Sequence, residues 1–371
     1  MIPVSDSIYI FGAHTRGQNL YAYFKALFPK CRVKGFLYDN HEPNPQSLYG
    51  IPVMHFDEVK ELSEESTIWV AVKSIYFEKI TKKVKCAFSN SVVLVTGQID
   101  NELRNRYAEK ILNEKGFPYI KVYDLLKESG KHTKAPVIYM VKSIYDRQTK
   151  ECTYPIYMVP VQAGAALTDR QIAVLRDDTG DNISKKNQQY CELTVLYWIW
   201  KNIQEPWVGL CHYRRHFVLS DEEAALISEA GVDVILSVPS ICQPSIGENY
   251  RKRHDRNDWE HLLDLLKNSC PDFYNLALDL WETQKYGTLY YTCNMFIMKK
   301  EVLNAYCSWL FPILSEMEGF GGEKTDPYQN RYLGFLGERL MTLYFMYFKD
   351  KYRIAYADKI FIPAENAIKA E

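Results

Sequence analysis

Short apolar runs alternate along most of the chain with longer stretches whose apolar residues have helical spacing. An apolar run at Ser7–Phe11 is followed by a stretch that places Leu20, Phe24 and Leu27 on one helical face, and then by a second apolar run at residues 33–38. This order predicts a strand, a helix and a second strand, the repeating unit of a parallel sheet. Because the alternation continues to about residue 95, we predict an α/β fold with a parallel sheet for residues 1–97.

A second series of elements fills the rest of the chain. Residues 98–134 are charged and have a helical repeat, which predicts a helical linker. Predicted strands follow at residues 136–141, 155–161, 207–211, 232–236 and 290–298, and predicted helices at residues 258–267, 301–317 and 337–348. This series predicts a second α/β domain over residues 135–371.

The turn after the first predicted strand contains Gly12 and Gly17, and Asp39 follows the second predicted strand. In a Rossmann-like domain, such glycines bring a phosphate to a helix N-terminus, and an acid at the second strand end binds a ribose hydroxyl. Position 14 is His, so the glycine fingerprint is incomplete. Gly12, Gly17 and Asp39 are therefore candidates for nucleotide binding, and a Rossmann-like fold with an empty or repurposed crevice is the alternative.

Composition narrows the class of protein. The 371 residues carry a net charge of −1, which argues against a nucleic-acid binder. Nine cysteines without a C-x-x-C pattern favour reduced thiols and a cytoplasmic location. No signal peptide is expected, and no apolar run approaches the roughly 20 residues of a transmembrane helix. The apolar run at residues 340–348 predicts a buried helix, with peripheral membrane contact as the alternative.

An acidic loop at residues 177–184 is the first candidate site in the second domain. Asp178, Asp181 and Asn182 can bind a metal or sugar hydroxyls, and Asn187 and Glu192 follow on the predicted helix. The alternative for the loop is an Asx-rich turn that caps this helix near Ser184.

Basic residues follow the predicted strand at residues 207–211 in the order His212, Tyr213, Arg214 and Arg215. Arginine offers planar pairs of donors to phosphate oxygens, so two arginines can neutralise a diphosphate. The alternative is a surface cluster of ion pairs.

Three further candidates lie nearer the C-terminus. Asn294 interrupts the apolar predicted strand at residues 290–298, where a polar side chain needs a partner or marks a bulge. Glu338 and Arg339 lie at the predicted start of a helix, where Glu338 can act as the general base for an acceptor hydroxyl. Favourable placement of an acid at a helix N-terminus is the alternative for Glu338.

The motifs of residues 178–184, 192–202, 209–215, 294–298 and 337–340, taken in order, resemble a family of bacterial domains of unknown function. That family is treated as glycosyltransferases of the GT-A type and occurs in capsule, exopolysaccharide and O-antigen loci. The resemblance covers roughly residues 135–365. Residues 6–95 are similar to the Rossmann-like domains that precede sugar-modifying enzymes in polysaccharide loci, through Ile8–Gly12, Gly35-Phe36, Asp39-Asn40 and Gly50–Val53.

The resemblance implies a GT-A-like α/β fold, a nucleotide-diphospho-sugar donor and a glycan or lipid-linked glycan acceptor. A UDP-sugar is favoured, with galactose or galactofuranose as the sugar. GT-A enzymes hold Mn²⁺ or Mg²⁺ with an Asp-x-Asp after a central strand, but this chain has His212-Tyr213-Arg214-Arg215 at the comparable strand end. Either Asp178 and Asp181 hold the metal, or the arginines replace its charge.

Two other functions remain open on the sequence alone. One is a non-catalytic scaffold that binds a nucleotide-sugar within a polysaccharide assembly complex. The other is an NAD-dependent sugar-nucleotide oxidoreductase or epimerase that uses Gly12 to Asp39, which the incomplete glycine pattern disfavours.

Overall fold

The chain divides into two compact units, with the break after Gly116. The structure, a computed structural model, describes residues 5–40, 43–128, 133–147, 154–283 and 288–362. Residues 129–132 of the predicted linker and residues 363–371 of the predicted second domain lie outside the described residues.

The first unit is a six-stranded sheet with helices. Its elements are β1 (Ser7–Phe11), α1 (Thr15–Leu27), β2 (Arg32–Tyr38), β3 (Ser47–Leu48), β4 (Ile51–His55), β5 (Thr67–Val70), α2 (Phe77–Ala87), β6 (Val92–Leu94) and α3 (Gly97–Glu114). The strand order is β3-β4-β2-β1-β5-β6, and every pair except β3–β4 is parallel. The predicted parallel sheet is therefore present.

The second unit contains a larger mixed sheet. Its strands are β7 (Val137–Lys142), β8 (Met158–Gln162), β9 (Leu175–Arg176), β10 (Trp207–His212), β11 (Arg215–Phe217), β12 (Val234–Ser237), β13 (Ser240–Cys242), β14 (Thr288–Tyr290), β15 (Phe296–Lys299), β16 (Ile354–Ala357) and β17 (Lys359–Phe361). Its helices are α4 (Val122–Glu128), α5 (Asn187–Tyr190), α6 (Leu193–Asn202), α7 (Asp221–Ala224), α8 (Ile246–Arg253), α9 (Arg256–Ser269), α10 (Pro271–Ala277), α11 (Lys300–Gly321) and α12 (Tyr332–Tyr347).

The main path of this sheet runs β16-β12-β15-β10-β7-β8-β9. β10, β7, β8 and β9 are mutually parallel, whereas β15 is antiparallel to both of its neighbours. The carboxyl ends of β7, β8 and β10 therefore lie at one edge of the sheet, and the loops that follow them can form a common site.

The apolar run at residues 340–348 was predicted to form a buried helix, and this is confirmed for its central part. Leu340, Met341, Leu343 and Phe345 are completely buried within α12. Within the described residues, no helix is long and apolar enough to cross a membrane.

Two predicted elements were wrong in ways that matter for the site. The predicted strand at residues 290–298 begins as β15 only at Phe296, because Cys293 and Asn294 have positive φ angles of 72° and 47° and break the extended backbone. The helix predicted from residue 337 begins at Tyr332, so Glu338 and Arg339 lie inside it.

The segment predicted as a helical linker contributes to both units. α3 lies in the first unit and α4 in the second. Val122 and Leu126 of α4 are buried in the same core as Ile138 of β7.

The close approach of α1 to the β1–α1 turn requires glycine at position 17. A Cβ atom there would lie 1.7 Å from the carbonyl oxygen of Gly12. We expect Gly17→Ala to destabilise the first unit by roughly 2–3 kcal/mol, because the turn and the helix must move apart. Hydrogen exchange of the β1 and β2 amides in the full chain measures this unit separately.

Gly97→Ala is the matched control, because nothing lies within 4 Å of a Cβ at that helical position. It should leave exchange unchanged or slightly slower. Equal acceleration by both substitutions would contradict the proposed contact.

Candidate functional site

A cavity of about 750 Å³ lies at the carboxyl ends of β7, β8 and β10. Ser143, Asp146 and Arg147 line it from the loop after β7, Ala163 from the loop after β8, and His212 from the last position of β10. A cavity at the carboxyl edge of parallel strands is the usual ligand site of an open α/β sheet.

The facing wall comes from three later segments. They contribute Asn187, Gln188, Cys191 and Glu192 from α5 and the turn after it, Arg215 from β11, and Glu323, Lys324, Thr325, Pro327, Asn330 and Arg331 from the segment before α12. The complete lining includes four cationic side chains (Arg147, Arg215, Lys324 and Arg331) and three acidic ones (Asp146, Glu192 and Glu323). The cavity therefore offers both cations and carboxylates to a polar ligand.

Asp177 joins the segments that carry this wall, although it does not line the cavity itself. Its side chain is completely buried, and its two carboxylate oxygens accept four hydrogen bonds: from the amides of Gly164 (2.9 Å) and Ala165 (3.0 Å) and from the hydroxyls of Ser184 (2.5 Å) and Thr194 (2.6 Å). A buried carboxylate is stable only with such partners. The acidic loop thus contains a buried residue that stabilises the structure, and Asp177 was not among the site residues predicted from the sequence.

Asn187 connects the hydrogen bonds of Asp177 to the cavity lining. Its amide donates to the carbonyl of Cys191 (2.8 Å) and to the hydroxyl of Thr194 (3.0 Å), which is itself bonded to Asp177. Gly164 packs so closely beside Asn187 that a Cβ there would lie 2.8 Å from the amide carbon. The helix predicted to continue from Ser184 is interrupted at Cys191, which has a φ of 53°.

Glu192 lines the cavity, and Asn294 orients its side chain. The Asn294 amide donates to Glu192 Oε1 at 2.7 Å, and also to the carbonyl of Gly334 at 3.3 Å. Within the described part of the chain, Glu192 Oε2 accepts no hydrogen bond from the protein, so it is available to a ligand in the cavity.

Asn294 owes its position to a strained turn with Cys293. His212 Nε2 lies 2.5 Å from the carbonyl of Cys293, so this nitrogen carries the hydrogen, because a carbonyl can only accept. Glu338 Oε1 accepts from the Cys293 amide at 2.6 Å. The turn is thus held on both sides, as a pair of non-glycine residues with positive φ requires.

Glu338 and Arg339, predicted at a helix start, form a pair inside α12. Arg339 donates to Glu338 Oε2 at 3.1 Å and to the carbonyl of Phe335 at 2.9 Å. Burial raises the pKa of Glu338 above its usual value, and the neighbouring arginine offsets this only in part. Neither residue is among those that line the cavity.

The predicted arginine pair is divided by the turn between β10 and β11. Arg215 lines the cavity, as do His212 and Tyr213. Arg214 is not part of the lining; its Nε donates to the carbonyl of Ile362 at 2.8 Å, and its guanidinium lies 4.5 Å from the ring centre of Phe361. The Arg215 guanidinium lies 5.3 Å from the centre of the same Phe361 ring, so the two arginines are neighbours of which only Arg215 lines the cavity.

Asp178, Asp181 and Asn182 are not part of the cavity lining. Both oxygens of Asp178 accept from Arg176, at 3.0 and 2.7 Å, and this pairing lowers the pKa of Asp178. Asp181 is exposed and accepts from Tyr197 at 3.2 Å. Asn182 closes an Asx turn by accepting from the Ser184 amide at 3.2 Å, so the loop has the capping character that was the alternative.

These placements do not fit a metal site made by Asp178 and Asp181, because each carboxylate is bonded to a different partner. Among the residues that the structure describes, no group of three His, Cys, Asp or Glu side chains is arranged to hold a metal ion.

Asp146 and Arg147, in the loop after β7, were not among the residues predicted from the sequence. Burial raises the pKa of Asp146 to about 6, and its Oδ2 accepts from the Ser143 amide at 2.8 Å. A perturbed carboxyl in a cavity is typical of functional sites. The signal was available, because the strand at residues 136–141 was predicted and polar residues follow its carboxyl end.

In the first unit, Gly12 and Gly17 form the turn described above, and Asp39 follows β2 as predicted. Asp39 Oδ2 lies 3.8 Å from Lys83 Nζ and 3.9 Å from Lys79 Nζ, both on α2. The carboxylate predicted to bind a ribose is therefore paired with lysines, and nucleotide binding by this unit stays a prediction.

Comparison with known proteins supports the fold. Residues 141–350 match DUF4422, a domain of unknown function. The structure resembles that of apo WbbM, described as a bifunctional glycosyltransferase, with a TM-score of 0.51 and 24% identity. The likeness covers 62% of this chain and 45% of that one, so this chain spans less than half of WbbM. No curated protein matches the sequence. The predicted GT-A-like α/β fold is confirmed by this likeness.

The four bonds to Asp177 predict a large effect of its removal. We expect Asp177→Ala to lower the free energy of unfolding of the second unit by about 3–5 kcal/mol, because two amides and two hydroxyls lose their acceptor in the interior. Urea unfolding followed by tryptophan fluorescence measures the loss.

Asp181→Ala, in the same loop but exposed, is the control and should change stability by no more than about 0.5 kcal/mol. Similar losses for the two variants would contradict the stabilising role of Asp177.

Proposed function

The chain belongs to the DUF4422 family, and we propose that its second unit is a glycosyltransferase that uses a nucleotide-diphospho-sugar. The donor occupies the cavity at the carboxyl ends of β7, β8 and β10, and the sugar passes to a glycan or lipid-linked glycan acceptor. UDP-sugars, with galactose and galactofuranose first, are the donors to test, and assembly of a capsule, exopolysaccharide or O-antigen is the biological setting that the family resemblance suggests.

The combination of cations and an available carboxylate in one cavity is the observation that carries this proposal. Its volume of about 750 Å³ lies within the usual range of small-molecule sites. Transfer from a diphospho-sugar needs positive charge for the diphosphate that leaves and a base for the hydroxyl that attacks. The likeness of the fold to a glycosyltransferase agrees with that chemistry.

Arg215, Arg147 and Arg331 are proposed to bind the diphosphate. Guanidinium groups match pairs of phosphate oxygens and remain charged at any physiological pH. Lys324, the fourth cation of the lining, is already paired with Asp255 and Asp258. The three arginines therefore supply most of the charge that a donor would meet.

Glu192 replaces Glu338 as our proposed base. Its Oε1 is fixed by Asn294, and Oε2 is left for the acceptor hydroxyl. Glu338 instead holds the Cys293 amide, so we assign it the task of positioning the turn that carries Asn294. In this proposal Glu192 contacts the substrate, and Glu338 positions the turn that orients Glu192.

The two adjacent arginines provide a matched test of donor binding. The donor class is first found by thermal shift against UDP-, GDP-, dTDP- and CMP-sugars, with and without Mn²⁺, and against NAD(P). We then expect Arg215→Gln to weaken binding of that donor at least tenfold by calorimetry, as the loss of a charge-assisted contact implies. Arg214→Gln should bind within about threefold of the unchanged protein.

Equal affinity of both variants would remove Arg215 from the donor site. A thermal shift with NAD(P) alone would contradict the proposed function and favour the oxidoreductase alternative.

The two glutamates are distinguished by their effects on turnover and stability. Glu192→Gln keeps the acceptor for Asn294, so we expect normal folding and donor affinity with kcat lowered about 10²–10⁴-fold. Glu338→Gln should lower the melting temperature and reduce kcat less, because its effect passes through the turn. Release of nucleoside diphosphate measures turnover of both variants.

The opposite ranking, with Glu338→Gln inactive and fully stable, would return the base to Glu338. Tight donor binding without turnover in the unchanged protein would favour the scaffold alternative.

A further inference from the structure

A second cavity, of about 620 Å³, adjoins the proposed donor cavity. The two share Glu323, Lys324 and Thr325 in their linings. The remaining lining residues are Lys252, Arg253, His254, Asp255, Gly321, Asp326 and Gln329. The segment at residues 323–325 is therefore a wall that both cavities have in common.

The charge of the second cavity is balanced, unlike that of the first. Its lining has three cationic side chains (Lys252, Arg253 and Lys324) and three acidic ones (Asp255, Glu323 and Asp326). Lys252 and Arg253 are exposed, and in the described part of the chain neither forms an ion pair. Sugar hydroxyls both donate and accept, so cations and carboxylates side by side suit a neutral, hydroxyl-rich ligand better than an anion.

A half-exposed aromatic ring packs against the lining of this cavity. Tyr328 is 51% exposed, and its ring is stacked on that of the lining residue His254 with the ring centres 5.8 Å apart. The Tyr328 ring also packs on Phe335 at 5.2 Å, so it is held in place. An exposed ring fixed in this way can pack against the apolar face of a sugar ring.

We propose that this second cavity is the acceptor subsite and takes a neutral glycan. The inference rests on the proposed function: an acceptor hydroxyl reaches past Thr325 to the donor and gives its proton to Glu192. Its oxygen bonds to the anomeric carbon while the bond from that carbon to the diphosphate oxygen breaks, and the nucleoside diphosphate leaves with the electron pair.

The test uses the full chain, with a panel of neutral methyl hexosides and one anionic methyl hexuronide as probes. Saturation-transfer NMR at millimolar glycoside, in the presence of the nucleoside diphosphate, detects weak binding. We expect saturation transfer from the protein to at least one hexoside. Combining Lys252→Ala and Arg253→Ala should lower the affinity for that hexoside about tenfold, because charge-assisted hydrogen bonds to its hydroxyls are removed.

Arg256→Ala is the control. Arg256 is an exposed cation that begins α9, pairs with Glu260 at 3.6 Å and does not line the cavity. It should bind glycoside as the unchanged protein does. The thermal shift produced by the nucleotide-sugar should be the same in all variants, which also confirms that they are folded.

The outcomes separate this inference from the proposed function. Glycoside binding that is absent, unchanged in the double variant, or seen only with a hexuronide would overturn the neutral acceptor subsite. A lost nucleotide-sugar shift in the double variant would assign this cavity to the donor and equally overturn it. If no nucleotide-sugar binds but glycoside binding depends on Lys252 and Arg253, the carbohydrate site stands and the transferase proposal fails.

Discussion

The buried carboxylate of Asp177 is the constraint on which the candidate site depends. It joins the loop after β8, the turn at Ser184 and the first turn of α6 through four hydrogen bonds. Because an unpaired charge in the interior is costly, Asp177 strongly favours the arrangement in which all three segments are in place. Asn187 extends the network to Cys191, and Glu192 follows at once. The wall of the cavity is thus fixed by a residue that is not part of its lining.

A second carboxylate has a similar task on the other side of Glu192. Glu338 and His212 hold the amide and the carbonyl of Cys293, and the strained turn between them presents the Asn294 amide to Glu192. Positive φ angles at two successive non-glycine residues persist only where the surroundings enforce them. Strain of this kind at a cavity wall is consistent with a site in which one carboxylate must keep a single orientation.

The strands around the cavity could be predicted from sequence because buried strands have a strong local signal. Of the strands at the cavity, β7 and β10 agree with the prediction within about a residue at each end, whereas β8 begins three residues later than predicted. In the first unit, β1 agrees in full. The local pattern was misleading where long-range contacts decide. Glu338 was predicted at a helix start, yet Gly334 and Gly337 before it lie inside α12, where added Cβ atoms would meet Cys191 at 3.2 Å and Leu193 at 2.8 Å. Both glycines allow close packing of α12 against neighbouring residues, so the helix includes them and Glu338 lies in its interior instead of at its start.

The different positions of Arg214 and Arg215 relative to the cavity have a comparable cause. The run of four polar residues predicted that both arginines face one ligand, but β11 turns back against β10 and pairs with β17, which lies far away in the sequence. Nothing near residue 214 announces that partner. The cavity wall likewise combines residues from the loop after β7, from α5 and from the segment before α12. These segments are far apart in the sequence, and only the fold brings them together. Glu192 and Arg215 could therefore be predicted as individual candidates from the sequence, but the other residues that line the same cavity could not.

The segment shared by the two cavities is held by ion pairs and a hydrogen bond within the protein. Lys324 Nζ lies 2.9 Å from Asp255 Oδ2 and 2.7 Å from Asp258 Oδ2, and the Lys324 amide donates to Asn330 at 2.9 Å. Asp258 is almost completely buried, and burial raises its pKa. Withdrawal of Lys324 would leave that carboxylate unpaired, which costs about 3–5 kcal/mol. Contacts within the protein therefore fix this segment, so a ligand in either cavity loses little affinity to its ordering.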